Sequence, residues 1–269
     1  MSWPRETGLA KKIRTPFRRL TRWLTVGFLT LFLLPLIGSM AKVLGRDYDW
    51  RTAPRYSIGI APDPATTPEA VVQVYAARAF GWRGAFGVHS WVAVKPSGAN
   101  DFDVYEVVGW RVMHGYPAVS RSQRPPDGLW FGNRPVILAE LRGDGVDEII
   151  ARIERAAANY PYPDSYIIWP GPNSNTFTAY LARAVPELGL ELPPTAIGKD
   201  YLPNGDFIAR APSGTGWQVS LWGLLGVMVA REEGIEIDVL GLTFGVDFAQ
   251  PALKLPGLGR VGLSNRQST

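Results

Sequence analysis

Apolar residues along this chain follow three regimes. From Trp23 to Ala41, nineteen residues (WLTVGFLTLFLLPLIGSMA) run without a charge, close to the roughly 20 that a helix needs to cross a bilayer. Asp47 to about Thr67 is polar and broken by prolines, which predicts a linker carrying one short strand near Tyr56 to Ile60. Beyond it the apolar runs shorten to strand length in VVQVYAAR (71–78), AFGVHSWVAVK (85–95) and FDVYEVVGW (102–110). The last two flank PSGAN, a turn-rich pentapeptide, and so predict a hairpin.

Residues 115–135 hold too much Pro and Gly for regular structure and too many aromatics for a loose linker, so a packed surface loop is expected. VILAELRG then predicts a strand and DGVDEIIARIERAAANY a helix. Ile149, Ile150, Ile153, Ala157 and Tyr160 fall on one face of that helix, with Asp144 as its cap. A second helix is expected from about Asn173, with a stripe of Phe177, Tyr180, Leu181, Ala184 and Val185 ended by Pro186. From Gly216 to Leu263 a Gly-punctuated β pattern returns and predicts a further antiparallel sheet. The expected fold class is α+β: an antiparallel sheet with a helical pair, a Gly-rich C-terminal β extension and an N-terminal transmembrane helix. By residue, 1–22 is a basic leader, 23–44 the membrane segment, 45–67 the linker, 68–210 the α+β core and 211–269 the extension.

Charge sharpens this picture. Residues 1–42 carry eight of the 28 basic residues and one acid, which leaves 20 basic against 23 acidic residues in the remainder. The body thus lacks the clustered Lys and Arg of a nucleic-acid partner. Seven bases precede the apolar run, so the positive-inside bias keeps the N-terminus in the cytoplasm. The expectation is a single-pass anchor in the inner membrane, with the body facing the periplasm or cell exterior and the lipid bilayer as first partner. Ser39-Met40-Ala41 leaves open a cleaved signal peptide instead. With no cysteine in the chain, disulfides, thiolate zinc sites and cysteine nucleophiles are excluded. Two histidines make a His-rich metal site unexpected, and neither a metal nor a cofactor is expected.

Chemistry concentrates at two places. His89 lies on a strand with Trp91 and Ala93 on its face, where it is either a base or a half-buried strand histidine. PGPNSNTF (170–177) delivers Ser174 to the first turn of a helix, where unpaired N–H groups and the dipole favour a nucleophile or a developing oxyanion. The same residues also make an ordinary cap through Asn173 or Ser174. Glu106 and Asp103, on the partner strand of the hairpin, are candidates to orient His89. His114 reads as incidental, PSGTG (212–216) as a glycine-rich loop without a P-loop lysine, and Lys95 and Lys199 as solvated ends.

Together the strings HSWVAVKP, VVGW, PPDGLWFGNRP, WPGPNSNTF, LPPTAIGKDY and PALKLPGLGR resemble an uncharacterised bacterial family, a domain of unknown function whose members also begin with a hydrophobic leader. That resemblance covers nearly the whole chain and implies no activity. More distantly, the chain resembles the circularly permuted branch of the NlpC-type papain-like fold, which includes lecithin retinol acyltransferase-like proteins. There a strand His comes first and an Asn-Cys-x-x-Phe helix start follows. His89 in HSWVAVK matches the first element, and Asn173-Ser174-Asn175-Thr176-Phe177 matches the second, with Ser at the Cys position. The resemblance implies acyl chemistry on amide, ester or thioester bonds. The departure at Ser174 matters because a serine hydroxyl depends wholly on its base, whereas a thiol is partly ionised at neutral pH.

Three functions follow as expectations. One is an envelope-facing hydrolase or acyltransferase with Ser174 as nucleophile and His89 as base, acting on cell-wall peptide or lipid. The second is a binding module whose site draws on Asn173, Asn175 and Trp91 and whose aromatic loop around Trp130 and Phe131 docks a ligand. The third is a structural envelope protein that uses its C-terminal sheet as a contact surface.

Overall fold

The computed structural model describes residues 9–43 and 49–262. The first residues of the leader, residues 44–48 of the membrane segment and linker, and the last residues of the extension lie outside the described residues. The architecture is α+β, with two antiparallel sheets and few helices.

The first sheet contains β1 (Val71–Arg78), β2 (Val88–Lys95), β3 (Asp103–Val107), β4 (Val119–Ser122) and β5 (Val136–Arg142), in the order β4-β3-β2-β1-β5. The expected hairpin is formed by β2 and β3, with Val92 opposite Tyr105. Strand β1 is an interior strand between β2 and β5 with both faces covered, which is why VVQVYAAR is apolar at nearly every position rather than alternating. Pleating sends successive side chains to opposite faces. Val72, Val74, Val88, Val92, Val94 and Val107 point to one face, where they pack against helices α3 (Val146–Ala158) and α4 (Ser174–Ala184). Val71, Tyr75, Ala77, Trp91, Phe102 and Val104 point to the other, which is covered by Trp130 and its loop.

Local departures have local causes. The expected strand at Tyr56 to Ile60 is reduced to one bridge between Ser57 and Gly128. FDVYEVVGW stops being a strand at Val107, and Gly109–Met113 forms a short helix, α2. Within the expected loop 115–135, β4 forms an edge strand that is only partly buried and so carries no clean alternation. Helix α3 begins at Val146 after Gly145 (φ 80°) without a side-chain cap. Asp144 therefore does not cap it, and Asp147 instead accepts from Ser97 N–H and Oγ–H.

The second sheet is a meander of β6 (Ile208–Arg210), β7 (Gly216–Leu221), β8 (Leu225–Ala230), β9 (Gly234–Val239), β10 (Leu242–Asp247), β11 (Ala252–Leu255) and β12 (Gly259–Gly262). Its polarity is inverted. Gln218, Ser220, Glu236, Asp238 and Lys254 point inward and are buried, while Val219, Val227, Val229, Ile235 and Ile237 point outward and are exposed. The inward charges are paired: Lys199 Nζ reaches Glu236 at 2.5 Å and Asp200 at 3.3 Å, and Lys254 Nζ reaches Glu191 and Glu236 at 2.6 Å each. Lys199 and Lys95 are thus buried rather than solvated ends. The acid that holds Lys199 lies on β9, far along the sequence, and Lys95 turns back to donate to the Pro96 carbonyl.

The uncharged N-terminal run is helical, within α1 (Leu9–Val43). Several of its side chains lie outside the described residues, and among the described residues no helix is long and apolar enough to cross a membrane. The last turns of α1 rest on the body. Ser39 Oγ donates to the Gly257 carbonyl (3.0 Å), which also accepts from Arg78 Nη1 (2.8 Å). Gly257 (φ 72°) lies in the left-handed region that favours glycine, and a Cβ there would press at 3.1 Å on both the Ala85 carbonyl and Leu36.

Within the inward charge layer, burial first and the Asp200 charge second push the Asp238 carboxyl up to about 7 from 3.8. The stability this carboxyl contributes is therefore full below pH 3.8 and is lost as pH rises through 7. Asp238→Asn keeps the acceptor for Gly241 N–H and removes the charge. The variant is expected to be more stable than the parent by roughly 1–3 kcal/mol above neutrality, with little difference well below it, in denaturant unfolding followed across pH. Equal stabilities on the alkaline side would contradict this.

Candidate functional site

On the face of the first sheet away from the helices, five rings stack in sequence. Tyr75 lies on Trp91 (centroids 5.6 Å, planes 13° apart), Trp91 on His89 (5.6 Å), His89 on Trp130 (3.7 Å, 13°) and Trp130 on Trp110 (5.8 Å, 21°). The series runs from fully buried Tyr75 to Trp110, whose side chain is about half exposed. Register builds its inner end: Tyr75 pairs with Trp91, and Ala77 pairs with His89. The loop builds its outer end, where Trp130 bridges Asn133 and Phe131 is held at φ 50°. A non-glycine residue at that angle is strained, and the strain sets Phe131 edge-on to both Trp130 and Trp110.

A charged cluster lies against these rings. His89 Nε2 is 2.8 Å from Glu106 Oε2, and Arg124 donates to the same carboxylate from Nε (3.1 Å) and Nη2 (3.2 Å). The Arg124 guanidinium also stands 4.7 Å over Trp91 and 5.9 Å from Trp130. Burial raises the Glu106 pKa, but the hydrogen bond from His89 and the Arg124 charge outweigh it and hold the group at about 2. Burial pushes the His89 pKa below its ordinary 6.5, against the opposing pull of Glu106. The resting state is thus carboxylate, guanidinium and neutral imidazole. Because a carboxylate only accepts, the imidazole proton sits on Nε2 and the Nδ1 lone pair is left available.

Of the two acids expected to orient His89, Glu106 is the one that hydrogen-bonds to it. Asp103 is three positions away along β3, so the pleat turns it to the opposite face, where it pairs with Arg121 at 2.7 Å. Trp91 and Trp130 stack with His89. Ser174 opens α4, which packs on the other face: Ser90, next to His89 in sequence, bonds to Asn175 Oδ1 (2.8 Å) and Thr178 Oγ1 (2.9 Å). His89 and Ser174 therefore attach to opposite faces of β2, and no hydrogen bond joins them. Among the described residues Ser174 Oγ makes no hydrogen bond.

The asparagines beside Ser174 are engaged in holding the fold. Asn173 Oδ1 accepts from Asn175 N–H and Thr176 N–H and closes a capping box with Thr176. Its amide donates to the carbonyls of Ile168 and Ile197. Asn175 Nδ2 donates to Val88 and Ile197 carbonyls and so ties α4 to β2 and to the 195–198 turn. The helix N–H groups that an oxyanion would use are thus partly taken. His114 is exposed, with Nδ1 on the Trp110 carbonyl. No cluster of three or more metal-ligating side chains occurs among the described residues.

Two members of the site escaped the sequence reading. Arg124 lies in SQRPP, which has no periodicity to mark it, and Trp110 reads as the last residue of a strand although it belongs to α2. The aromatic, proline-rich loop holds three arginines, Arg121, Arg124 and Arg134, and nothing in its pattern distinguishes Arg124 from the other two.

Nitrogen NMR of the imidazoles tests the charge assignment. His89 is expected to be mostly neutral, with its proton on Nε2, at pH 6.5, where an ordinary histidine is half cationic. The stability it contributes is present above pH 6.5 and lost as pH falls through the lowered folded value. A His89 mostly cationic at pH 6.5, or a proton on Nδ1, would overturn the assignment.

Comparison with known proteins agrees with an uncharacterised family, over residues 69–201 rather than nearly the whole chain as expected. No curated protein and no solved structure matches the chain. Residues 69–201 match the family described as Protein of unknown function (DUF3750). That span contains every candidate site residue and stops before the second sheet, so the C-terminal meander lies beyond the matched domain, and residues 69–201 carry a domain of unknown function.

Proposed function

We propose that the chain is a membrane-tethered envelope binding module whose ligand stacks on the ring series ending at Trp110. The carrying observation is the open outer face of that series: Trp110 is half exposed, backed by Trp130 and flanked by Phe131. Rings braced by other rings present flat apolar area with little side-chain freedom left to lose, and this is what makes tryptophan effective at binding surfaces. In the envelope, the group with a matching flat apolar face is the sugar ring of a cell-wall fragment. Glu106 and Arg124 would act as positioning residues that hold His89 and Trp130 in the stack. The tether rests on the nineteen-residue uncharged run and the seven bases before it, within one continuous helix whose end docks on the body. Docking of Ser39 favours a retained anchor over a cleaved leader.

A hydrolase reading keeps one supporting observation. The His89–Glu106 hydrogen bond leaves Nδ1 as a base, as in oriented histidine dyads. Ser174 as its nucleophile, on a permuted papain-like core, would need a rearrangement that brings both to one face of β2.

Titration of the full chain in detergent with a soluble muropeptide, followed by tryptophan fluorescence and calorimetry, separates the two. Trp110→Ala is expected to weaken binding about tenfold, near the ~1.4 kcal/mol that one lost ring contact is worth, and Ser174→Ala is expected to leave it unchanged. Equal affinity of Trp110→Ala and parent would overturn the stacking site. Labelling of Ser174 by a serine-reactive phosphonate, lost in His89→Ala, would establish the hydrolase reading in its place.

A further inference from the structure

We infer that the outward face of the C-terminal sheet and its apolar hairpin tips rest in the hydrocarbon of the outer leaflet of the membrane that α1 crosses; this rests on the tether reading above. The first observation is the inverted polarity. Cross-strand register lines up Trp217, Val229, Ile235, Val246, Leu253 and Val261 in one continuous outward row, with Arg210 at its β6 end the one charge. A parallel row holds Ile208, Val219, Val227, Ile237 and Phe244. A contiguous aliphatic face of this kind exceeds what a monomer surface carries singly and requires a cover.

The second observation identifies the cover. Hairpins β7–β8 and β9–β10 turn through Trp222 (φ 52°) and Leu240 (φ 55°), residues about half exposed. Turns of this sort favour Gly, Asn or Asp at left-handed positions. Bulky apolar side chains held there at a conformational cost point to a use for them. The two turns are joined by Leu240 N–H to the Leu224 carbonyl, Phe207 packs edge-on against Trp222, and Trp169 Nε1 donates to the Leu240 carbonyl. At the opposite end the β8–β9 turn carries Arg231 and Glu232, and the β10–β11 turn carries the exposed Phe248.

The third observation is continuity with the anchor. The β11–β12 turn lies at the same end of the sheet as Trp222 and Leu240, and its Gly257 receives Ser39 and Leu36 of α1. The apolar tips thus lie at the end of the sheet where the membrane helix joins the body. Strands of six residues reach about 20 Å, enough to cross one leaflet of roughly 15 Å but not a bilayer. The edge strands β6 and β12 have three and four residues, so few unpaired backbone groups would enter the apolar layer. A second copy packed sheet to sheet would cover the face but leave the tips in water.

Because the chain has no cysteine, single labels report single positions. Full-length Leu240→Cys, Val227→Cys and Glu232→Cys, each carrying an environment-sensitive nitrobenzoxadiazole label, are reconstituted in phosphatidylethanolamine–phosphatidylglycerol vesicles with and without doxyl-labelled lipid. All three are expected to float with the vesicles. Labels at 240 and 227 are expected to be blue-shifted and quenched several-fold more by doxyl lipid than the label at 232. Flotation with unquenched labels at 240 and 227 would overturn the inference while leaving the tether intact, and cross-linking between Val227→Cys copies would then assign the face to a second copy. Loss of flotation would overturn the tether and this inference with it.

Discussion

Side chains on a strand alternate between two faces, and nearly everything specific to this molecule follows from where that alternation falls. On β2 it separates His89 from Ser90 and so divides two polar systems that adjoin in sequence. One is the ring stack with its Glu106–Arg124 clamp; the other is the asparagine and hydroxyl network that fixes α4. On β3 the same alternation gives Glu106 to His89 and sends Asp103 to Arg121. In the second sheet it is applied with reversed polarity, charges inward and aliphatics outward.

Both halves accept buried charge, at a cost that only close pairing offsets. Glu106 is bound by an imidazole and a guanidinium, and Glu236 by two ammonium groups. Such clusters favour geometric precision over net stability, since apolar packing of equal volume often does as well. At Glu106 that precision serves the rings, because the same arginine that neutralises the carboxylate also lies over Trp91 and near Trp130. A wet, flexible binding loop would expose the same residues without fixing their planes.

Much of the fold was legible because periodicity is local. VVQVYAAR, HSWVAVK and VILAELRG became strands, EIIARIERAAA and SNTFTAYLARA became helices, and Asn173 capped the second of them. What failed depended on contacts distant in sequence. Lys199 looked like a loop cation until β9 brought Glu236 to it, and β4 looked like a loop because an edge strand needs no alternation. At the site, Glu106 as partner of His89 could be named from the hairpin, but the choice between Glu106 and Asp103 needed the register. The serine at a helix start beside a strand histidine suggested a dyad, and the face to which each side chain points is invisible to motif order. Arg124 and Trp110 come from segments without periodicity.

The central claim is that the ligand face is the one bearing His89, Glu106 and Trp110, with α4 and Ser174 serving the fold on the other side. Chemical-shift mapping during titration of the isotopically labelled full chain with a muropeptide tests it most directly. The account predicts that shifts centre on the Trp110 and Trp130 indoles and the His89 imidazole, with the Ser174 and Asn175 amides unmoved. Shifts centred on the start of α4, with the ring series unaffected, would contradict it.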